Sequence, residues 1–185
     1  MAKKFVNPTK VVTGECRFSY ANLWEAKAMD ENSKPKYSVS LIIPKSDTKT
    51  IEKVKAAIQA AYDEGKSKLS NGKSVPSLNS IKTPLRDGDI DRPDDEAYAN
   101  SYFVNANSIT APGIVDADRQ QILTHSEIYS GIYGRASITF YAFNTKTSRG
   151  IACGLQNVQK LRDGDPLGGH SSAEEDFADD EDFLD

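Results

Sequence analysis

A chain of 185 residues with 38% hydrophobic and 9% aromatic content buries one ordinary core with some chain to spare, which predicts one domain and an appendage. No stretch approaches the roughly 18 apolar residues of a membrane span, and the start Met1-Ala2-Lys3-Lys4-Phe5 lacks a secretory apolar run, so the expectation is a cytoplasmic protein without a membrane partner. The net charge of −4 is unevenly divided: all 23 Lys and Arg lie at or before Arg162 against 17 acids there, a formal +6, while residues 163–185 carry ten acids and no base, a formal −10.

Residues Lys10 to Ala21 (KVVTGECRFSYA) are rich in β-branched and aromatic residues and read as one strand. Alternation puts Val12, Cys16, Phe18 and Tyr20 on one face and Thr13, Glu15, Arg17 and Ser19 on the other. Lys36 to Ile43 alternates more strictly, with Tyr37, Val39, Leu41 and Ile43 inward and Lys36, Ser38 and Ser40 outward, until Pro44 stops it. Asp47 then caps a helix to about Glu64, whose Ile51, Val54, Ala57, Ile58 and Ala61 recur at helical spacing before Gly65.

From Lys66 to Asn100 the chain is polar and punctuated, without periodicity, and reads as a long loop insertion of the kind that carries function. Within it, KTPLRDGDIDR mixes Lys82, Arg86 and Arg92 with Asp87, Asp89 and Asp91. The D-x-D-x-D run is not a calcium loop, because Arg92 and Tyr98 stand where the glycine and the bidentate Glu belong. Tyr102 to Ile109 resumes a strand. Tyr129 to Asn144 is the strongest strand of all, with Ile132, Ala136, Ile138, Phe140 and Ala142 toward the core and Tyr133, Arg135, Ser137, Thr139 and Tyr141 outward. Gly150 to Leu161 returns as a further strand, giving about five strands and one main helix.

The cysteines Cys16 and Cys153 read as small buried hydrophobes rather than nucleophiles, and with only His125 and His170 for company they make no structural zinc site. No catalytic triad, phosphate-cradling loop or dinucleotide fingerprint is present, so the reading is non-enzymatic with no metal or other cofactor. Tyr133, Arg135 and Tyr141 combine flat rings with a cation, as single-stranded nucleic acid requires, and Arg17, Lys36, Lys82 and Arg86 add charge for phosphates. Residues 168–185 are too polar to fold alone, and their eight acids from Glu174 to Asp185 are interrupted by Phe177, Phe183 and Leu184. A tail meant only for solubility has no use for those apolar residues; Phe177, Asp182, Phe183, Leu184 and Asp185 make a candidate partner-binding tip.

The segments SGIYGRASITFYAFN, GIACGLQNVQKLRDGDPLGG and TPLRDGD resemble a phage protein family first catalogued as a domain of unknown function and understood to be single-stranded-DNA-binding proteins with an OB fold, encoded in replication modules. The likeness covers most of residues 5 to 170. It implies a mainly β, OB-like five-stranded barrel over residues 1–167 with a long loop insertion and a disordered acidic tail over 168–185, acting in the host cytoplasm in DNA replication and recombination. The expected partners are single-stranded DNA, bound without sequence preference, and, through the charge and apolar tip of the tail, replication or recombination proteins, with the tail also expected to compete with DNA for the basic groove. Double-stranded DNA and a homodimer are further partners left open. The tail is similar to those of bacterial single-strand binders but ends Phe183-Leu184-Asp185 instead of Pro-Phe. Two other readings remain: an adaptor whose only working part is the tail, and a Mg²⁺-dependent nuclease using Asp87, Asp89 and Asp91.

Overall fold

The computed structural model describes residues 7–28, 30–70 and 72–167. Five long strands carry the architecture: β2 (Cys16–Lys27), β3 (Lys36–Pro44), β5 (Ser101–Ser108), β7 (Tyr133–Asn144) and β8 (Arg149–Arg162). β2 pairs antiparallel with β3, β3 with β5, and β7 with β8. Two short contacts close the ring: an antiparallel one of β2 with β7 at Cys16–Gly134 and Arg17–Tyr133, and a parallel one of β5 with β8 at Asn107–Gly154. This five-stranded ring with a parallel closure is the OB-like arrangement expected from the sequence. Three short strands extend it: β1 (Lys10–Val12) along β7, β4 (Leu85–Asp87) along β5, and β6 (Gly113–Val115) along β8.

Alternation fills the ring from inside. Phe18, Leu41, Val104, Ile132, Ile138 and Phe140 point inward and are each almost wholly buried, which stabilises by about 1.5–3 kcal/mol per large side chain. The helix α1 (Thr48–Glu64) packs on β7 with the apolar stripe read from its sequence, and its first turn is capped by the Asp47 side chain, which accepts from Thr50 N at 3.1 Å. Gly65 ends it where a Cβ would come within 2.3 Å of the Ala142 Cβ, so a side chain there would push the helix off the sheet.

The first strand departs from its sequence reading in two places. The segment 10–21 is broken at Thr13–Glu15, because Gly14 N turns to donate to Thr50 Oγ1 at 3.0 Å and ties the chain to α1. Thr13 is consequently buried, with its Oγ1 accepting from Ala136 N, and Val12 is turned outward in place of Val11. Tyr20, grouped with the inward residues by strict alternation, is 57% exposed: it sits in a β-bulge with φ +47°, where the β2–β3 register slips between Ser19 and Asn22.

The stretch 66–100 is also more ordered than its polarity suggested. It holds α2 (Lys66–Ser70), β4, α3 (Gly88–Asp91) and 3-10 turns at Leu78–Ser80 and Glu96–Tyr98. Its order comes from few anchors rather than periodicity. Tyr98, fully buried, donates from its hydroxyl to Ser40 Oγ at 2.9 Å and meets Phe103 edge-on at 4.9 Å, clamping the insertion over the outer surface of β3 and β5. Cys16 and Cys153 are buried as expected, and burial pushes the Cys16 thiol up to about 12 and raises that of Cys153 as well. Among the described residues no helix is long and apolar enough to cross a membrane.

Candidate nucleic-acid interface

The residues selected from sequence fall into separate neighbourhoods. Arg17 and Tyr133 meet across the β2–β7 seam, with the Arg17 guanidinium 5.5 Å and the Arg162 guanidinium 3.8 Å from the Tyr133 ring centroid. Arg17 also donates to Gly131 O and Asp165 O, so its charge sits over backbone carbonyls. Arg135 points outward on β7 and donates to Thr13 O at 2.9 Å. Tyr141 is 47% exposed farther along β7, against Gly154. Lys82 runs alongside Gly150 at the start of β8, and Arg86 on β4 is paired with Asp91 at 2.6 Å. The tail residues Phe177, Asp182, Phe183, Leu184 and Asp185 lie outside the described residues.

Asp87, Asp89 and Asp91 of the insertion are tied up with cations. Lys45 bridges Asp87 at 3.0 Å and Asp89 at 2.7 Å, and Asp91 is held by Arg86. The hydrogen bond to Lys45 and a backbone bond from Asn100 lower the Asp89 pKa, while the same carboxylates raise Lys45 to about 12. Carboxylates neutralised in this way fasten the insertion to the end of β3, and among the described residues no group of three or more potential ligands gathers to hold a metal.

A concave surface lies over β2 and the β2–β3 hairpin. A cleft of about 790 Å³ opens between the bulge at Tyr20–Asn22, the insertion at Asp95–Ala97 and the segments Tyr129–Ser130 and Pro166–Leu167. It adjoins a second cleft of about 400 Å³ lined by Ser33, Lys34, Lys36, Ser38 and Asn107, and Lys27 borders both. Lys27, Lys34 and Lys36 take part in no ion pair among the described residues. At the other end the Arg92 guanidinium is 5.0 Å from the Tyr20 centroid and 4.9 Å from that of Tyr98, and its Nη1 donates to the Tyr20 hydroxyl at 3.3 Å. The groove therefore runs from an exposed ring backed by a guanidinium to three ammonium groups that have no ion-pair partner among the described residues. Flat rings stack bases, and cations track phosphates.

Of this groove the sequence reading identified Lys36 alone. Lys27 and Lys34 carried a usable signal, flanking with Lys36 the turn between two strands. Tyr20 carried none, since only the bulge turns it outward, and Arg92 becomes visible only once the insertion has folded back on β2.

The start of the acidic segment forms part of the groove wall. Tyr129 donates to Asp163 Oδ1 and Gly164 O, both at 3.0 Å, and Leu167 N donates to Ser130 O at 2.7 Å. Burial works to lower the Lys160 pKa, but Asp163 and Glu127 outweigh it and hold the ammonium charged, while Lys160 and Tyr129 lower the Asp163 carboxyl. Leu167, the last of the described residues, lines the larger cleft.

Comparisons with known proteins show the family and the fold. Residues 9–184 match the family model described as Enterobacter phage Enc34, ssDNA-binding protein. Putative protein p50 of Acyrthosiphon pisum secondary endosymbiont phage 1 is 30% identical over 174 residues, which span 90% of this chain and 91% of that protein. Among solved structures, the single-stranded DNA-binding protein of bacteriophage Enc34 in complex with ssDNA superposes with a TM-score of 0.72 at 24% identity, over 86% of this chain and 90% of that one. The gp2.5 single-stranded DNA binding protein encoded by bacteriophage T7 has the same fold at greater distance, with a TM-score of 0.60 and 14% identity over 92% and 93% of the two chains.

Proposed function

The chain belongs to the family of the Enterobacter phage Enc34 single-stranded-DNA-binding protein, and from that membership we propose that it binds single-stranded DNA along the groove over β2 and the β2–β3 hairpin. The observation that carries this placement is the continuity of the two clefts through Lys27, with a stacking ring at one end and, at the other, lysines that form no ion pair among the described residues. Bases stack on Tyr20, whose rear is occupied by Arg92, and the backbone follows Lys27, Lys34 and Lys36. Stacking surfaces and point charges serve any base, so binding is largely independent of sequence. Arg17, Tyr133 and Arg135 extend the cationic and aromatic surface beyond the groove, with Lys82, Arg86 and Tyr141 more peripheral.

The acidic tail has two roles in this reading. It competes with DNA for the groove, and its tip of Phe177, Asp182, Phe183, Leu184 and Asp185 engages replication or recombination proteins. Attachment at Leu167 favours the first role, because a tethered competitor works at an effective concentration of about millimolar. The reading assigns the protein no reaction and no cofactor.

Titration of a fluorescent oligonucleotide at several salt concentrations tests the placement. Changing Lys27, Lys34 and Lys36 together to Ala is expected to flatten the dependence of log K on log salt by about 2, at about 0.7 per phosphate contact on a single strand. An unchanged slope would move the interface elsewhere. No binding by the unaltered chain would favour an adaptor that merely presents its tail.

A further inference from the structure

A second concentration of positive charge lies at the far end of β7 and β8 from the Arg17–Tyr133 seam, eleven residues or about 35 Å of strand away. Here the β7–β8 hairpin meets α2 and forms two adjoining clefts of about 400 and 380 Å³ that share Asn144, Thr145 and Lys146. Lys68, Lys73, Lys146 and Arg149 line them, and no Asp or Glu does. None of these four cations is in an ion pair among the described residues, in contrast to Lys45, Arg86 and Lys160 elsewhere on the surface.

The scaffold beneath them is fixed. Arg149 Nη1 donates to Leu69 O and Asn144 Nδ2 to Lys68 O, each at 2.9 Å, which staples the hairpin to α2. The rest of the lining includes Ser67, Thr147 and Ser148, hydroxyls able to donate to an anion, while Ser70 donates to Ser67 O. No aromatic ring lines either cleft, so the surface suits phosphates and offers nothing for a base to stack on.

We propose that this pole is a second contact for nucleic acid, binding the phosphodiester backbone of the same strand after it leaves the groove. The inference rests on the groove reading and deepens it: each copy then holds a strand at two separated places, and only strands long enough to reach both gain from the second.

The test compares full-length protein with a variant carrying Lys68→Ala, Lys73→Ala and Lys146→Ala. All three side chains are exposed, so the fold is retained, and thermal unfolding checks that it is. Two oligonucleotides are used, one of about 6 nucleotides, near the short end of single-domain site sizes, and one of about 30. The variant is expected to bind the short strand like the unaltered protein and the long strand on the order of 10-fold more weakly at low salt, with a salt dependence shallower by about 2. Unchanged binding of the long strand overturns the proposal, as does equal weakening for both lengths. Long-strand binding that is unchanged while affinity for a synthetic peptide of residues 173–185 falls would assign the pole to an acidic polypeptide and overturn it too. Failure of the unaltered protein to bind either strand is a different result, one that removes the groove reading and this contact together.

Discussion

Tyr20 holds a left-handed backbone in the middle of a strand, a conformation that costs a non-glycine residue about 1–2 kcal/mol. Such strain is retained where the surroundings enforce it, and here they turn an aromatic ring toward a cleft and set Arg92 behind it. Replacement separates the two effects. Tyr20→Gly removes the strain along with the cation–π contact, worth about 0.5–1 kcal/mol at an exposed site, so the urea midpoint is expected to stay level or rise. Single-strand affinity is expected to fall nonetheless, by about 1–3 kcal/mol or roughly 5- to 150-fold, and Tyr20→Phe to retain most of it. A Tyr20→Gly protein that binds like the original would take this ring out of the interface. None of this could be read from the residue's position, because period-two counting sends Tyr20 inward with Phe18.

The elements differ in how openly the sequence declares them. β7 alternates without interruption from Ala136 to Ala142, and its buried and outward sets fall as the sequence reading placed them. α1 is bounded within a residue of expectation, since its signals, Asp47 before and Gly65 after, are local. β1 and β2 were read as one strand because what divides them is tertiary: Gly14 is held by Thr50, and the same Thr50 hydroxyl donates to Asp47 Oδ2 at 2.7 Å. That junction predicts an unusual cap. Asp47→Ala should cost about 1 kcal/mol as an ordinary N-cap loss, and more if freeing Thr50 also loosens the β1–β2 break. Chemical denaturation measures the cost, and faster amide exchange at Gly14 would report the coupling. The insertion is illegible for a related reason, since Tyr98 and Arg92 hold it by contacts with Ser40 on β3, Phe103 on β5 and Tyr20 on β2.

At the scale of the whole molecule the charge division is the feature the sequence states most plainly, and the structure adds where residues 163–167, the described start of the acidic part, lie. With Leu167 in the wall of the larger cleft, the ten acids that begin at Asp163 start beside the proposed path of the DNA. Deleting residues 171–185 is therefore expected to tighten single-strand binding at low salt, with the gain shrinking as salt screens the tail. Affinity that stays the same or weakens on deletion would leave the tail with partner recruitment alone. The positions of the lysines around the groove follow from the hairpin, which places Lys27 opposite Lys36 across its strands.

The closure of the ring also imposes an order in time. β2 is followed directly in the chain by β3, its partner on one edge, whereas the partners of its other edge, Tyr133 and Gly134, lie more than a hundred residues further on. A structure that depends on such distant partners folds in milliseconds to seconds rather than microseconds. Until β7 arrives, the β2–β3 hairpin carries an unpaired edge that can pair with another nascent chain. A polypeptide interrupted before β8 would keep that hairpin, with its lysines, yet have no closed ring to present them.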